Sequence, residues 1–431
     1  MDNRLSVLFV DDEPRLLEAV VRMLRPFRTE WNVLTTGSGP EALAILAKQD
    51  IDVIVSDMRM PEMSGAELLD KVAERHPGVI RLILSGQSDR ESLLRSIGST
   101  HQFLSKPCDS GHLRQAIDRA YALRRLLQVP KLTSLVSRIG SLPALPSLYL
   151  AIRSELQTEE PSLARISSLA AQDIGISAKL LQIANSGRFA GSNTVLKVEQ
   201  AVQMLGIETV RSLVLASHLF DSFPTYGLPL EALWQHSLMV GTGARAIASS
   251  EQQNSLACEC AFSAGLLHDC GLLLIAKHLP EEFQQILAAA PHQGWLAAEQ
   301  DILGATHQEL GAYLLGLWGL PDGLVEAVAF HHQPALAPHP DGRALSAVHI
   351  AESVVVSAHG GLAWEVGTNP EEAFVATEAI RARLHHWREV ASVAIANVEI
   401  PGTWPSNVCS ASTTSRMCRV ATSVSSVAPR K

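Results

Sequence analysis

Asp52-Val53-Ile54-Val55-Ser56-Asp57-Met58-Arg59-Met60-Pro61 is a short β-branched run that ends on a carboxylate. A strand that is apolar without alternation belongs in a parallel sheet covered on both faces. In open sheets of that kind ligands sit at the carboxyl ends of the strands, which is where Asp57 projects. The flanking sequence decides whether such a sheet exists.

Working outward, strand and helix alternate. Leu5 to Val10 reads as a strand running into Asp11-Asp12-Glu13, and Pro14 opens an amphipathic helix to Leu24, a position where proline costs no helix hydrogen bond. Trp31 to Leu34, Val53 to Val55, Val79 to Leu84 and Gln102 to Leu104 read as further strands. Glu41 to Ala47, Ala66 to Arg75, Arg90 to Ile97 and Gly111 to Leu127 read as helices. Five such units in about 125 residues predict an α/β doubly wound domain on a five-stranded parallel sheet. Asp11, Asp12, Asp57, Ser85 and Lys106 then share one rim.

That rim has a chemical logic. Asp11, Asp12 and Asp57 make a hard-oxygen site suited to Mg²⁺, which keeps waters and accepts a phosphate oxygen. A carboxylate attacks phosphorus to give an aspartyl-phosphate, with a metal and a lysine neutralising the transferred group. Asp57 is the candidate acceptor, Lys106 the candidate lysine and Ser85 a hydroxyl for a phosphoryl oxygen.

Phe9-Val10-Asp11-Asp12-Glu13, Ser56-Asp57-Met58-Arg59-Met60-Pro61, Leu84-Ser85-Gly86 and Phe103-Leu104-Ser105-Lys106-Pro107 succeed one another in this order. Together they resemble the receiver domain of two-component response regulators, over about residues 1–122. The resemblance implies that Asp57 is the phosphoacceptor, that Asp11, Asp12, Asp57 and the backbone carbonyl of Arg59 hold Mg²⁺, and that Ser85 and Lys106 contact the phosphoryl group. It also makes Phe103 the aromatic switch that responds to the hydroxyl residue, and a sensor histidine kinase the partner.

Leu113, Ile117, Ala120 and Leu127 form one apolar stripe on the last receiver helix, which Pro130 stops. The stripe suits packing on its own domain, on a second copy as a homodimer, or on the downstream part of the chain. Residues 123–130 read as a helical linker.

From Lys131 to about Gly360 the strand signal disappears and helical periods recur, as in an all-α bundle. This region carries most of the histidines. His236, His268-Asp269, His307, His331-His332 and Glu352 lie on or beside successive helices, which is how bundles converge ligands on one interior point. Imidazole and carboxylate together suit a divalent transition metal, Fe, Mn or Zn. Such an ion lowers the pKa of bound water and can cut a phosphoester. His292, His339 and His359 read as loop residues without a site role.

Leu142-Pro143-Ala144-Leu145-Pro146, Ala171-Gln172-Asp173, Leu180-Leu181-Gln182-Ile183-Ala184-Asn185-Ser186, Ala201-Val202-Gln203-Met204-Leu205-Gly206 and Gly265-Leu266-Leu267-His268-Asp269-Cys270-Gly271 resemble the HD-related output domain (HDOD) of bacterial signalling proteins. The resemblance implies a non-catalytic signalling module that engages a downstream protein. The metal-dependent HD phosphohydrolases are the related alternative, and this chain keeps their ligand order. It departs from those that cleave cyclic di-GMP: Leu272 stands where they carry lysine, Ala335-Leu336-Ala337-Pro338 comes after the paired histidines, and Glu352 replaces an aspartate. A receiver-regulated hydrolase is thus the second expectation, and enzyme activity the less favoured one.

The formal net charge of −9 over 431 residues argues against nucleic-acid binding by bulk electrostatics. A helix-turn-helix likeness at Ala201 to Leu213 is a weak pointer to a DNA-binding regulator. Six cysteines without a CxxC pair imply neither zinc knuckle nor disulfide scaffold. No apolar stretch reads as long enough to cross a bilayer, so a cytoplasmic location is expected. The helical domain is expected over 131–365 and a C-terminal helix over 366–399. Residues 400–431, rich in Ser and Thr and without acids, read as a disordered tail, a change of character that a reading-frame shift would also produce.

Overall fold

A computed structural model describes residues 4–85, 99–106, 108, 110–123, 129–137, 139, 142, 146–158, 160–185, 194–207, 209–210, 227–339, 343–359 and 378–398. Met1–Ala396 form one compact unit and Asn397–Lys431 a second. The expected helix at 90–97, most of that at 208–220, and the tail at 400–431 lie outside the described residues.

The strands are β1 (Leu5–Val10), β2 (Trp31–Thr36), β3 (Val53–Asp57), β4 (Ile80–Ser85) and β5 (Gln102–Ser105). They pair in parallel in the order β2-β1-β3-β4-β5. β1 and β3 therefore lie side by side at the point where the strand order reverses, and the crevice outside their carboxyl ends is where such sheets bind ligands. Val53, Ile54 and Val55 are fully buried. Each such side chain stabilises the fold by roughly 1.5–3 kcal/mol relative to exposure, which is why the run has no polar alternation. Helices α1 (Pro14–Leu24), α2 (Gly39–Leu46), α3 (Gly65–Arg75) and α4 (Ser110–Leu123) belong with this sheet. Ser38 caps α2, and Ser64 with Glu67 forms a capping box on α3, so local hydrogen bonds set both starts.

The remaining described elements are helical. They run α5 (Pro130–Val136), α6 (Pro146–Leu156), α7 (Leu163–Ala170), α8 (Ile174–Ala184), α9 (Val198–Leu205), α10 (Leu230–Ser250), α11 (Ser255–Leu267), α12 (Cys270–His278), α13 (Pro280–Gln293), α14 (Trp295–Leu303), α15 (His307–Leu317), α16 (Asp322–Phe330), α17 (Arg343–His359) and α18 (Glu378–Ala396). Pro130 opens α5 rather than merely ending the helix before it. His292 lies in the last turn of α13 and His359 at the end of α17, not in loops. His339 is outside the helices and hydrogen-bonds to Glu326.

Ser255–His278 is, by length and composition, apolar enough to cross a membrane, contrary to the sequence reading. Most of it is buried inside the protein, and it divides into α11 and α12 at His268-Asp269. It reads as a core helix pair.

The sheet and the bundle meet at the amino ends of β4 and β5. Leu113, Ile117 and Ala120 of α4 are buried, and Arg119 Nε lies 2.6 Å from Asp322 Oδ1 of α16. Those three residues of the stripe are thus covered within this chain, and Leu127 lies outside the described residues. Arg81, the first residue after Ile80 in β4, is completely buried. Its guanidinium donates to the carbonyls of Ser99 (2.5 Å), Val79 (3.1 Å) and Pro77 (3.3 Å), and across the junction to the carbonyl of Ser137. His101 Nδ1 accepts from the Arg81 amide at 3.1 Å, which leaves Nε2–H to donate to Ser137 O at 2.9 Å. Burial, helped by the Arg81 charge, holds His101 well below its ordinary pKa and therefore neutral. Gln102 Nε2 donates to Gly316 O at 3.3 Å, and Gln182 Nε2 reaches His101 O at 3.5 Å.

Candidate functional sites

At the other end of the sheet, three strands deliver charged groups to one rim. β1 ends just before Asp11, β3 ends on Asp57 and β5 ends just before Lys106. Lys106 Nζ lies 2.7 Å from Asp11 Oδ2 and 2.5 Å from Asp57 Oδ1, bridging the two carboxylates. Burial alone would depress the Lys106 ammonium, but hydrogen bonds and charge from Asp11 and Asp57 outweigh it and raise its pKa. The Arg59 amide donates to Asp57 Oδ2 at 2.8 Å, and the Glu13 amide to Asp11 Oδ1 at 2.9 Å. Asp11 and Asp57 are buried, whereas Asp12 is exposed beside them. Ser85 closes β4 opposite Ser105, and its side chain lies outside the described residues. Phe103 pairs with Ile83 and is buried in the core. Asp11, Asp12 and Asp57 on one rim offer an all-oxygen donor set, the chemistry that fits Mg²⁺. A groove of about 440 Å³ opens beside them, lined by Asp11, Leu16, Val20, Met23, Lys106 and Leu113 among others.

The second site lies inside the bundle and depends on two close helix approaches. A Cβ on Gly265 of α11 would stand 2.7–2.8 Å from backbone atoms of Gly241 in α10, so only glycine lets these helices cross. The crossing brings His236 and His268 within 3.2 Å at their Nε2 atoms. A Cβ on Gly271 of α12 would collide with the carbonyl oxygen of His307, which starts α15. That approach sets His307 against Asp269, and a Thr306–Glu309 capping box fixes where α15 begins.

Asp269 is the centre of the result. Its Oδ2 faces His268 Nε2 (3.3 Å) and His236 Nε2 (3.8 Å), while Oδ1 faces His307 Nε2 (3.4 Å) and His331 Nε2 (3.6 Å). His332 Nδ1 lies 3.2 Å from Glu352 Oε1. Donor atoms of Asp269, His307, His331 and His332 lie within 4.8 Å of one another, as do those of His236, His268 and Asp269, and those of His268, His331 and Glu352. All seven residues expected from the sequence therefore converge. The most exposed, His332, is only 8% accessible.

The outer nitrogens of three rings are held from behind. His268 Nδ1 pairs with Gly265 O (2.7 Å), His331 Nδ1 with Val328 O (2.8 Å) and His307 Nδ1 with Glu299 Oε2 (2.9 Å). Meanwhile Nε2 of His307, His331 and His332 has no hydrogen-bond partner although buried. His307 and His331, each pinned at Nδ1 with Nε2 turned inward towards Asp269, have the arrangement expected of metal ligands.

Burial works against charging every ring here. For His268 the charge and hydrogen bond of Asp269 overcome it and raise the pKa to about 9; for His307, Glu299 and Asp269 raise it to about 10. His331 falls to about 3 through burial and the neighbouring His268 and His307 charges, and His332 falls well below its ordinary value for like reasons. Asp269 is held far below the usual carboxylate range, because the surrounding imidazoles outweigh a burial effect that would raise it.

Three buried groups at these sites and at the junction were missed in the sequence. Glu299 sits on α14, a helix absent from the pattern reading. It shares a face with Trp295, Ala298 and Ile302, so an acid on an apolar stripe was the available signal. His349 Nδ1 contacts His331 O at 2.6 Å, and an arginine within the apolar run Val79 to Leu84 marked the junction.

Comparison with known proteins reproduces this division. Residues 7–118 match the response regulator receiver domain family and residues 142–334 the HDOD domain family. The hydrogenase transcriptional regulatory protein HoxA of Cupriavidus necator is 38% identical over 27% of this chain and 25% of its own length. An uncharacterized protein of Treponema pallidum is 26% identical over 52% of this chain and 44% of its own. The chain thus spans less than half the length of these curated relatives. Among solved structures, the MmoQ response regulator of Methylococcus capsulatus covers 60% of this chain and 98% of its own at 23% identity, with a TM-score of 0.46.

Proposed function

Because the chain is a response regulator, a receiver domain joined to an HDOD domain, we propose that phosphorylation of Asp57 controls the HDOD domain as a signalling module that engages a protein partner. A sensor histidine kinase is the donor: Asp57 forms an O–P bond as the phosphohistidine N–P bond breaks. Asp11, Asp12, Asp57 and the Arg59 carbonyl would hold Mg²⁺, which would supply positive charge to the transferring group. Lys106 exchanges its ion pair with Asp57 for the phosphoryl oxygens, Ser85 contributes its hydroxyl, and Phe103 answers the move of Ser85. In this reading the receiver takes residues 1–122, the linker 123–130 and the output domain 131–365, in the cytoplasm.

The observation that carries the reading is Lys106 seated 2.7 and 2.5 Å from two carboxylates on the receiver rim. It is the neutralising cation that phosphoryl transfer to Asp57 requires. The test is labelling with radioactive acetyl phosphate in the presence of Mg²⁺. Wild type labels and Asp57→Asn does not; a variant that still labels would sink the assignment.

In the HDOD domain the imidazoles and carboxylates of the histidine centre would hold a divalent transition metal, Fe, Mn or Zn. Its burial supports a structural ion over an open hydrolytic one, since a catalytic metal keeps a position for water and substrate. Elemental analysis of the purified protein tests occupancy, and assays on cyclic dinucleotides test turnover.

A further inference from the structure

We propose that Glu299 is the positioning residue that makes His307 a metal ligand. The inference rests on the metal reading of the histidine centre. Glu299 is completely buried, on a helix that supplies no ligand of its own. A carboxylate in such a place is costly unless its lone pairs are taken up. Here Oε1 accepts from Trp295 Nε1 at 2.7 Å, and Oε2 accepts from the His307 amide at 2.9 Å. Both oxygens also face His307 Nδ1, at 3.0 and 2.9 Å.

Three of these four contacts fall on one residue. The amide bond fixes the first turn of α15, and the Nδ1 pair fixes the plane of the ring. With the Nδ1 proton directed at Glu299, Nε2 is the nitrogen turned inward, 3.4 Å from Asp269 Oδ1, and it is the one that gives up its proton when a metal binds. Packing does not account for this choice, since Leu or Met would fill the same space beside Trp295 without a buried charge. The opposing stop is the Gly271 backbone, against which the His307 carbonyl closes. Glu299 therefore holds from behind a ligand that Gly271 admits from in front.

The experiment uses the full chain, stripped with chelator and titrated with Co²⁺, whose visible absorption reports ligand number and geometry. Wild type is expected to bind with a tetrahedral or five-coordinate imidazole spectrum. Glu299→Gln keeps the shape but loses the charge, and is expected to bind about 10- to 100-fold more weakly with an altered spectrum. Glu299→Asp retains the charge and should recover part of the loss. Equal affinity and an identical spectrum for wild type and Glu299→Gln would overturn the role of Glu299 while leaving the metal centre intact. Failure of wild type to take up Co²⁺ would overturn the metal reading and this inference with it. Should Glu299→Gln not fold, the ¹⁵N-histidine spectrum of Co-free wild type decides: a His307 Nδ1 that carries no proton would refute the proposal.

Discussion

Replacing Arg81 with methionine should destabilise the receiver and loosen its junction with the helical domain. The guanidinium serves the carbonyls of Pro77, Val79, Ser99 and Ser137, and the last of these belongs to the segment just after α5. Hydrogen bonds to charged groups contribute about 1.5–3 kcal/mol each, and carbonyls left buried without a donor lose comparable amounts. Against this, methionine relieves the desolvation of a completely buried guanidinium, a cost of several kcal/mol. The difference leaves a net loss of about 3 kcal/mol. At roughly 2–4 °C per kcal/mol for domains of ~150–250 residues, the midpoint should fall by about 6–12 °C. Three of the four carbonyls belong to the receiver and one crosses to Ser137, so the loss should fall on the receiver and on its join to the bundle together. Scanning calorimetry should resolve wild type as one main transition and Arg81→Met as two. A variant that melts within about 2 °C of wild type in a single transition would refute the claim that this buried arginine joins the domains.

Two further outcomes are expected of the histidine centre. In chelator-treated protein His268 and His307 stand at about 9 and about 10, above the unfolded value of about 6.5, so their stabilisation is complete below about pH 6.5 and is lost as pH rises through 9 and 10. His331, at about 3, has the opposite sign and loses stability as pH falls from about 6.5 towards 3. Melting temperature against pH should peak near neutrality, and a level profile from about pH 6 to 10 would contradict the ion-paired cluster. Gly271→Ala drives a methyl group into the His307 carbonyl, so urea unfolding should show a loss of about 1–3 kcal/mol, with Co²⁺ uptake abolished. Wild-type stability and uptake in that variant would mean that α12 and α15 have room to separate.

The receiver half was legible because its determinants are local. Val53-Ile54-Val55 shows its strand by composition, Pro14 shows a helix start, and Asp11, Asp57 and Lys106 each sit at the end of a strand. Parallel order then brings those three ends together with little freedom. The bundle helices were less legible where they are buried on every side. In α12 every residue from Cys270 to Ala276 is buried, so no polar face marks a period. Trp295–Leu303 is short and starts after Gly294, whose φ of +91° is a backbone turn rather than a side-chain pattern.

The residues of the histidine cluster could be picked out by type and order, but what holds them could not. Such a residue declares itself chemically, because His and Asp are costly inside a bundle without a partner. Its supports are mostly backbone: the Gly265 and Val328 carbonyls behind His268 and His331, and the Gly241 and Gly271 main chain that lets helices close. Any residue carries a carbonyl, so those positions leave no trace in composition. Glu299 is the exception that shows the rule. As a side-chain support it did leave a trace, an acid on an apolar helical face, eight residues before the imidazole it holds. Buried charge on an otherwise apolar stripe, as at Glu299 and Arg81, therefore points to a partner that sequence spacing alone does not name.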